Sequence, residues 1–298
     1  MSTPNIPGLE LDALSLTLNT QRKYLTTLKK NIEAFSNDDF FSAEKGEFSA
    51  SRYRKTVRVD LGEGIRTMWV QVNPFNGDDS PLRIEFKGHP YEEVHYERAV
   101  QIIKVLLLNI PTEKVYTCVT RIDVAMNVEG SLDYLYCHKL RSKVYSATFA
   151  QKGELVCIRL GKSTSKFYLC IYAKQWKESR YSYVTSPGCL RVEMRFKPRA
   201  PLESIFTELD IQKRLDSILF INRRRLFNKN ILTASQRSIV RRFGITPLIM
   251  SYSPNEKRQL INKLKEFNEP LLSPDFVLKR CKEIQDQLCG LLGNPEFR

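Results

Sequence analysis

Three segments of this chain embed a carboxylate in an apolar, β-favouring run: Leu82-Arg-Ile-Glu85-Phe, Thr120-Arg-Ile-Asp123-Val-Ala and Leu190-Arg-Val-Glu193-Met-Arg-Phe. In each, the acid follows an arginine (Arg83, Arg121, Arg191) by two residues, and a strand's period of two puts that pair on one face of a sheet. Such a face is open to two readings. It is a solvated lattice of cross-strand ion pairs, or Glu85, Asp123 and Glu193 gather round one Mg2+ or Mn2+, hard cations that take oxygen ligands and leave room for phosphate oxygens. In the second case Arg121, Arg191 and Arg195 would meet the phosphates of a nucleic acid. A fourth run, Ser165-Lys-Phe-Tyr-Leu-Cys-Ile-Tyr172-Ala-Lys174, carries Tyr172 and Lys174, which alternation also puts on one face. A phenol is mostly protonated at neutral pH, so a tyrosine nucleophile needs such an ammonium to favour the phenolate or to offset charge growing on a phosphate under attack. The plain alternative is that Tyr172, one of 13 tyrosines, packs its ring against a sheet.

Charge points to the same partner. The 298 residues carry a formal net charge of +14, an excess that attracts polyanions and gives salt-sensitive phosphate binding, so DNA is the leading partner and a merely basic enzyme the bland alternative. The densest stretch runs from 213 to 242, where nine Lys or Arg face one acid, Asp216. Arg223, Arg224 and Arg225 are consecutive there, and Arg237, Arg241 and Arg242 fall on adjoining turns of one predicted helix, suited to tracking a backbone or entering a groove. Of the three histidines, His89 could join a metal shell or act as a base four residues after Glu85, while a surface role suits it equally; His95 and His138 form no His-apolar-His pair with it. No P-loop, dinucleotide-binding glycine fingerprint, zinc array or GxSxG elbow is present, and Gly161-Lys-Ser-Thr lacks the first glycine of a P-loop. Seven cysteines, odd in number and without a CxxC pair, read as reduced core thiols. Neither a secretory signal nor an apolar run of the ~20 residues a membrane helix requires is evident, so a cytoplasmic protein with no membrane partner is expected.

These side chains must be held by a fold. Strands are predicted at Thr56–Leu61, Thr67–Val72, Leu82–Lys87, Val119–Val128, Leu155–Leu160, Lys166–Ala173 and Cys189–Lys197, with helices over Tyr91–Leu108 and from Ser131 toward Lys143. Strands and helices do not alternate strictly, so the expected class is α+β, an antiparallel sheet covered by helices. After Pro198-Arg-Ala-Pro201 the pattern turns helical. Thr233-Ala-Ser-Gln236 and Ser253-Pro-Asn-Glu256 fit capping boxes, and Gly244 would stop the first helix. The pair is compatible with a helix-turn-helix variant, although the connection is longer than the usual turn. The expected organisation is a partly helical or flexible segment over 1–55, a sheet domain over 56–200 and a basic helical region over 201–298.

In order, Thr120-Arg-Ile-Asp-Val-Ala-Met, Tyr168-Leu-Cys-Ile-Tyr-Ala-Lys174 and Leu190-Arg-Val-Glu-Met-Arg-Phe196 resemble the filamentous-phage gene II replication initiators. The set is also similar to plasmid rolling-circle initiators with a GxxS…IYxK segment, here Gly161 to Ser165 before Ile171-Tyr172-Ala-Lys174. The resemblance covers about 80 to 200, with Leu82–Gly88 as an earlier block. It implies a divergent HUH-type nicking endonuclease in which Tyr172 is the nucleophile, Lys174 assists, and Asp123, Glu193 and Glu85 hold the metal. Such an initiator cuts one strand of single-stranded or locally melted origin DNA. It leaves a 5′-phosphotyrosyl link and a 3′-OH for a host polymerase, with a host helicase as a further partner, and later religates. The plasmid members carry an acid after the tyrosine, where this chain has Ala173, and another five residues on, where it has Lys177, with Glu178 one place late. A non-catalytic DNA-binding regulator is the alternative from another class; a relaxase or transposase would share the chemistry.

Overall fold

A computed structural model describes residues 9–37, 53–62, 66–75, 81–87, 93–132, 135–140, 144–150, 154–178, 188–206, 211–228, 231–269 and 273–292. The chain is α+β and divides into two compact units. The first takes residues 10–124, 196–209 and 280–298; the second takes 1–9, 125–195 and 210–279. These interleaved stretches differ from the contiguous boundaries at 56 and 200 expected above.

In the first unit the strands are β1 (Glu10–Thr20), β2 (Tyr53–Gly62), β3 (Arg66–Pro74), β4 (Leu82–Lys87) and the first ten residues of β5 (Val115–Glu129), hydrogen-bonded in the order β2-β3-β4-β1-β5. The pairs β2–β3, β3–β4 and β4–β1 are antiparallel, with Val57 opposite Val70, Val70 opposite Ile84 and Leu16 opposite Ile84. β1 was expected to be helical or flexible. Its Leu14, Leu16 and Leu18 alternate with Ser15 and Thr17, and the three leucines join Val57, Met68, Val70, Ile84 and Phe86 on one buried face. Helices α1 (Leu25–Asn37) and α2 (Glu93–Leu106) present Leu28, Ile32, Ala99, Ile103 and Leu106 to the core. Tyr96 of α2 meets the Phe86 ring at a centroid distance of 6.0 Å. Asn31 of α1 donates to the carbonyls of Leu106 and Leu108 at 3.1 and 2.7 Å, satisfying orphan acceptors where α2 ends.

The second unit continues β5 with its last five residues, then β6 (Leu135–Lys139), β7 (Tyr145–Phe149), β8 (Leu155–Leu160), β9 (Phe167–Ala173), the short helix α3 (Lys174–Glu178) and β10 (Cys189–Phe196). Its sheet runs β5-β10-β9-β8-β7, antiparallel at β7–β8 and β8–β9. Gly161 to Lys166, the P-loop look-alike, connects the β8–β9 hairpin.

The helix expected from Ser131 toward Lys143 is replaced over its central residues by the strand β6. The cause is tertiary: Leu135, Tyr136, Cys137 and His138 pair antiparallel with Asn222, Ile221, Phe220 and Leu219 of β11 (Ile218–Asn222), and this long-range ladder overrides local propensity. Residues 133–134 and 141–143 of that expected helix lie outside the described residues, as does His89. The β6–β11 ribbon packs with α4 (Ile211–Asp216), α5 (Arg223–Asn228), α6 (Ala234–Phe243), α7 (Ile245–Met250) and α8 (Pro254–Lys265). Tyr136, Ile221, Leu226, Val240, Ile245, Leu248 and Leu264 make one core there. The last helix, α9 (Pro274–Leu292), carries Val277, Cys281, Ile284 and Leu288 as its buried stripe at helical spacing. Among the described residues no helix is long and apolar enough to cross a membrane.

Candidate active site

β10 alternates without a break: Leu190, Val192 and Met194 are buried, while Arg191, Glu193 and Arg195 face the other side, half-buried. β9 lies beside it and offers Tyr168, Cys170 and Tyr172 at the same period of two. From β8, Cys157 stands directly opposite Tyr172 and Arg159 opposite Cys170. A polar sheet face results, with one phenol at its centre. The Tyr172 hydroxyl donates to Glu193 Oε1 at 2.5 Å and accepts from Lys177 Nζ at 2.8 Å, and Lys177 reaches Glu193 Oε1 at 3.2 Å. The guanidinium of Arg191 is 3.6 Å from the same carboxylate oxygen and donates to Asn127 Oδ1 at 3.4 Å.

The ring of Tyr172 packs with Cys157, Cys170, Tyr168 and Trp176, leaving the residue 4% exposed. Its polar end reaches a wetter edge, because the side chains of Glu193 and Lys177 are 19% and 49% exposed. The Lys177 ammonium lies 4.6 Å from the centroid of the tyrosine ring. Tyr168, the other tyrosine on this face of β9, has the Arg195 guanidinium 5.4 Å from its centroid. Burial pushes the Tyr168 phenol up to about 12, so it holds its proton at neutral pH.

Alternation puts Lys174 beside Tyr172 only if the strand continues to it. The strand stops at Ala173 and Lys174 opens α3. One helical turn then brings Lys177, at the position where the plasmid initiators carry an acid, back to the phenol. Sequence reasoning missed Lys177 as a partner of the tyrosine. The signal was its five-residue spacing from Tyr172, which becomes close only once α3 is known.

No family model matches the chain, and no curated protein does. Among the solved structures similar to this chain is a rolling circle replication initiator protein from Geobacillus stearothermophilus, 16% identical, with a TM-score of 0.44 over 78% of this chain and 91% of that one. A likeness at that level leaves the function to the residues themselves.

The acids expected on a metal are held by cations instead. In the first unit Arg121 donates through Nε to Asp123 Oδ1 at 2.8 Å and through Nη2 to Asp123 Oδ2 at 2.5 Å, a two-pronged pair, and reaches Glu85 Oε1 at 3.2 Å. Arg83 stands 3.6 Å from Glu85 Oε2. In the second unit Glu193 is engaged by Tyr172, Lys177 and Arg191. Among the described residues no three His, Cys, Asp or Glu side chains come together. A divalent cation needs oxygen donors with surplus negative charge, and here each carboxylate is matched by a guanidinium or ammonium, so these donor sets do not fit Mg2+ or Mn2+. The ion-pair reading describes the Arg121 cluster.

Most of the basic residues of 213–242 lie on α5 and α6. Arg224, Arg225, Arg241 and Arg242 are exposed, with Arg223 and Arg237 half-buried. Arg223 and Arg241 stand 5.7 and 5.1 Å from the Phe227 ring centroid, and Arg242 is 5.3 Å from that of Phe243, itself 50% exposed. Arg225 pairs with Glu269, and Arg237 Nε donates to the Leu232 carbonyl at 2.9 Å. Guanidinium planes beside aromatic rings form a surface on which phosphates and bases can both be met.

Proposed function

We propose that the protein is a rolling-circle replication initiator that cuts one strand of origin DNA with Tyr172. The observation that carries this reading is the Glu193–Tyr172–Lys177 triad, a phenol hydrogen-bonded at once to a carboxylate and an ammonium on a sheet face that also bears Arg191 and Arg195.

The chemistry follows from these positions. Glu193 takes the phenolic proton as Tyr172 Oη attacks the phosphorus of a single-stranded or locally melted origin. The phosphorus–O3′ bond breaks, the tyrosine is left joined to the 5′ phosphate, and the departing O3′ takes up a proton to become a 3′-OH that a host polymerase extends after a helicase has opened the duplex. Lys177 offsets the negative charge that grows on the phosphate, with Arg191 and Arg195 placed along the same strand to hold the DNA backbone. Because Lys177 lies across the tyrosine ring, the phosphate must displace it sideways; its half-exposed, flexible side chain permits that. The phosphodiester bond is exchanged and not hydrolysed, so the reverse attack by a 3′-OH reseals the strand without ATP. The bacterial cytoplasm is where such a protein would work.

A non-catalytic DNA-binding regulator would use the same basic helices, and the burial of Tyr172 favours it. Incubation with a single-stranded origin oligonucleotide followed by mass spectrometry separates the two. A covalent adduct on the Lys166–Lys174 peptide, lost in Tyr172→Phe while DNA binding persists, supports cutting. An unmodified wild-type protein on nicking-competent DNA supports the regulator.

A further inference from the structure

Between the two capped helices α6 and α8 the structure inserts α7, and this changes what the connection is. Three residues, Ser251, Tyr252 and Ser253, join α7 to α8, the joint length of a helix-turn-helix pair. The joint is held firmly. Glu256 accepts from the Ser253 amide at 3.1 Å and hydroxyl at 2.6 Å, and Pro254 fixes the first helical residue. Gln236 of α6 donates through Nε2 to the Tyr252 hydroxyl. On the inner side, Thr246 of α7 donates to the Cys137 carbonyl at 3.3 Å, anchoring the pair to the β6–β11 ribbon.

α8 turns Leu264 fully inward, with Leu260 and Ile261 half-buried, and presents Asn255, Arg258, Gln259 and Asn262 to solvent. At helical spacing these four fall within an arc of about 100° over two turns. Their types matter more than their polarity. Among the exposed Glu256, Lys263 and Lys265 of this helix and Glu266 at its end, the row carries amides and a guanidinium, the side chains whose paired donors and acceptors match purine edges in the major groove: Arg to guanine, Asn and Gln to adenine. Glu266 closes the row where α8 ends, and the exposed Lys263 and Lys265 flank it. The exposed Arg241 and Arg242 on α6 supply phosphate anchors of the charge a duplex requires.

We infer that α8 is a recognition helix that enters the major groove of double-stranded DNA and reads base edges through Arg258, Gln259 and Asn262, making the protein sequence-specific for duplex. This rests on the DNA-binding part of the reading above and is independent of strand cutting by Tyr172. The occupant is duplex because an α-helix fits a B-form major groove, whereas single strands are met by stacking platforms.

The test uses the full chain, a duplex pool with a randomised core longer than two turns of B-form DNA, and selection followed by sequencing. The wild type and Tyr172→Phe are expected to enrich one and the same motif. Arg258→Ala, Gln259→Ala and Asn262→Ala are each expected to relax one base position, with a loss of roughly 5- to 150-fold on the parent motif and unchanged binding to unselected duplex. Arg258→Lys keeps the charge and should also lose its position. Arg241→Ala and Arg242→Ala should weaken binding to all duplexes alike and lower the salt slope by about one each. Circular dichroism confirms folding of these surface variants. Enrichment of no motif, enrichment from a single-stranded pool alone, or an identical motif from the Arg258, Gln259 and Asn262 variants overturns the inference. If the selected motif stands while no tyrosine adduct forms, cutting fails and the recognition helix survives.

Discussion

Replacing Arg121 with methionine tests the claim that an internal ion cluster, and not a metal, organises the acids of the first unit. Arg121 is 24% exposed in its side chain, whereas those of Asp123 and Glu85 are 5% and 6% exposed. Burial of Arg121 opposes its charge and the carboxylates outweigh that, so its guanidinium is held even more firmly protonated than usual. At separations near 3 Å each charge pair is worth about 5 kcal/mol gross at an effective dielectric constant of ~20, most of it offset by desolvation. Removing Arg121 takes the two-pronged partner from buried Asp123 and one of the two guanidinium groups from buried Glu85, which keeps Arg83, and breaking a buried pair typically costs about 3–5 kcal/mol. The expected loss for Arg121→Met is therefore about 4 kcal/mol, or roughly 8–16 °C in Tm for a protein of this size. Urea unfolding followed by circular dichroism at pH 7 measures it. Arg121→Lys, which keeps the charge without the two-pronged geometry, should lose less. Adding Asp123→Asn and Glu85→Gln to Arg121→Met should recover part of the loss, because the uncompensated charges go with them. A loss below about 1 kcal/mol, or no recovery in the triple variant, refutes the reasoning. Millimolar Mg2+ should leave the wild type's stability unchanged; a rise in its Tm would show that the carboxylates hold a divalent cation after all.

Lys177→Met should slow formation of the tyrosine–DNA adduct roughly 10- to 100-fold in single-turnover assays, since an ammonium 2.8 Å from the reacting oxygen is lost but is half solvated; Lys174→Met should slow it less, and the reverse order would return the role to Lys174. Gly244 has φ 84° and ψ 177°, and a Cβ there would stand 2.7 Å from the Tyr145 hydroxyl, so Gly244→Ala should cost about 1–3 kcal/mol, with only the contact part recovered by adding Tyr145→Phe. His138 is pushed down to about 4, first by burial and then by the charge of Lys257, and among the described residues its Nε2 has no hydrogen-bond partner to receive a proton. The unfolded chain binds that proton near 6.5, so the folded state loses about 2–3 kcal/mol as pH falls from 6.5 to 4, and His138→Gln should flatten that part of the wild-type stability curve.

Legibility followed physical locality. β10 was readable because Leu190, Val192 and Met194 alternate with Arg191, Glu193 and Arg195, and burial obeys that pattern residue by residue. β5 and β9 were equally plain, each a run of β-formers with an acid or a phenol on one face. β1 had the same alternation in Leu14, Leu16 and Leu18, masked by leucine's preference for helices. β6 and β11 were not readable in principle from either segment alone, because each becomes a strand by pairing with the other across some eighty residues. The site divides in the same way. Tyr172 and Glu193 sit on strands and were found by period-two counting, whereas Lys177 reaches them through a helical turn that begins one residue after the strand ends. The α7 insertion, which turns an overlong connection into a short one, depends on Gly244 and on the packing of Ile245, Leu248 and Ile249.

The interleaving of the two units bears on how the protein is made. Gln285 bonds the Glu203 carbonyl and the Phe206 amide, so the first unit draws on a stretch translated long after its own β1. A nascent chain stopped by a premature codon just short of 280 would own every segment of the second unit and still lack the final piece of the first. A lesion in the codons for 280–292 would thus be felt in the unit whose first strand, β1, is encoded far upstream.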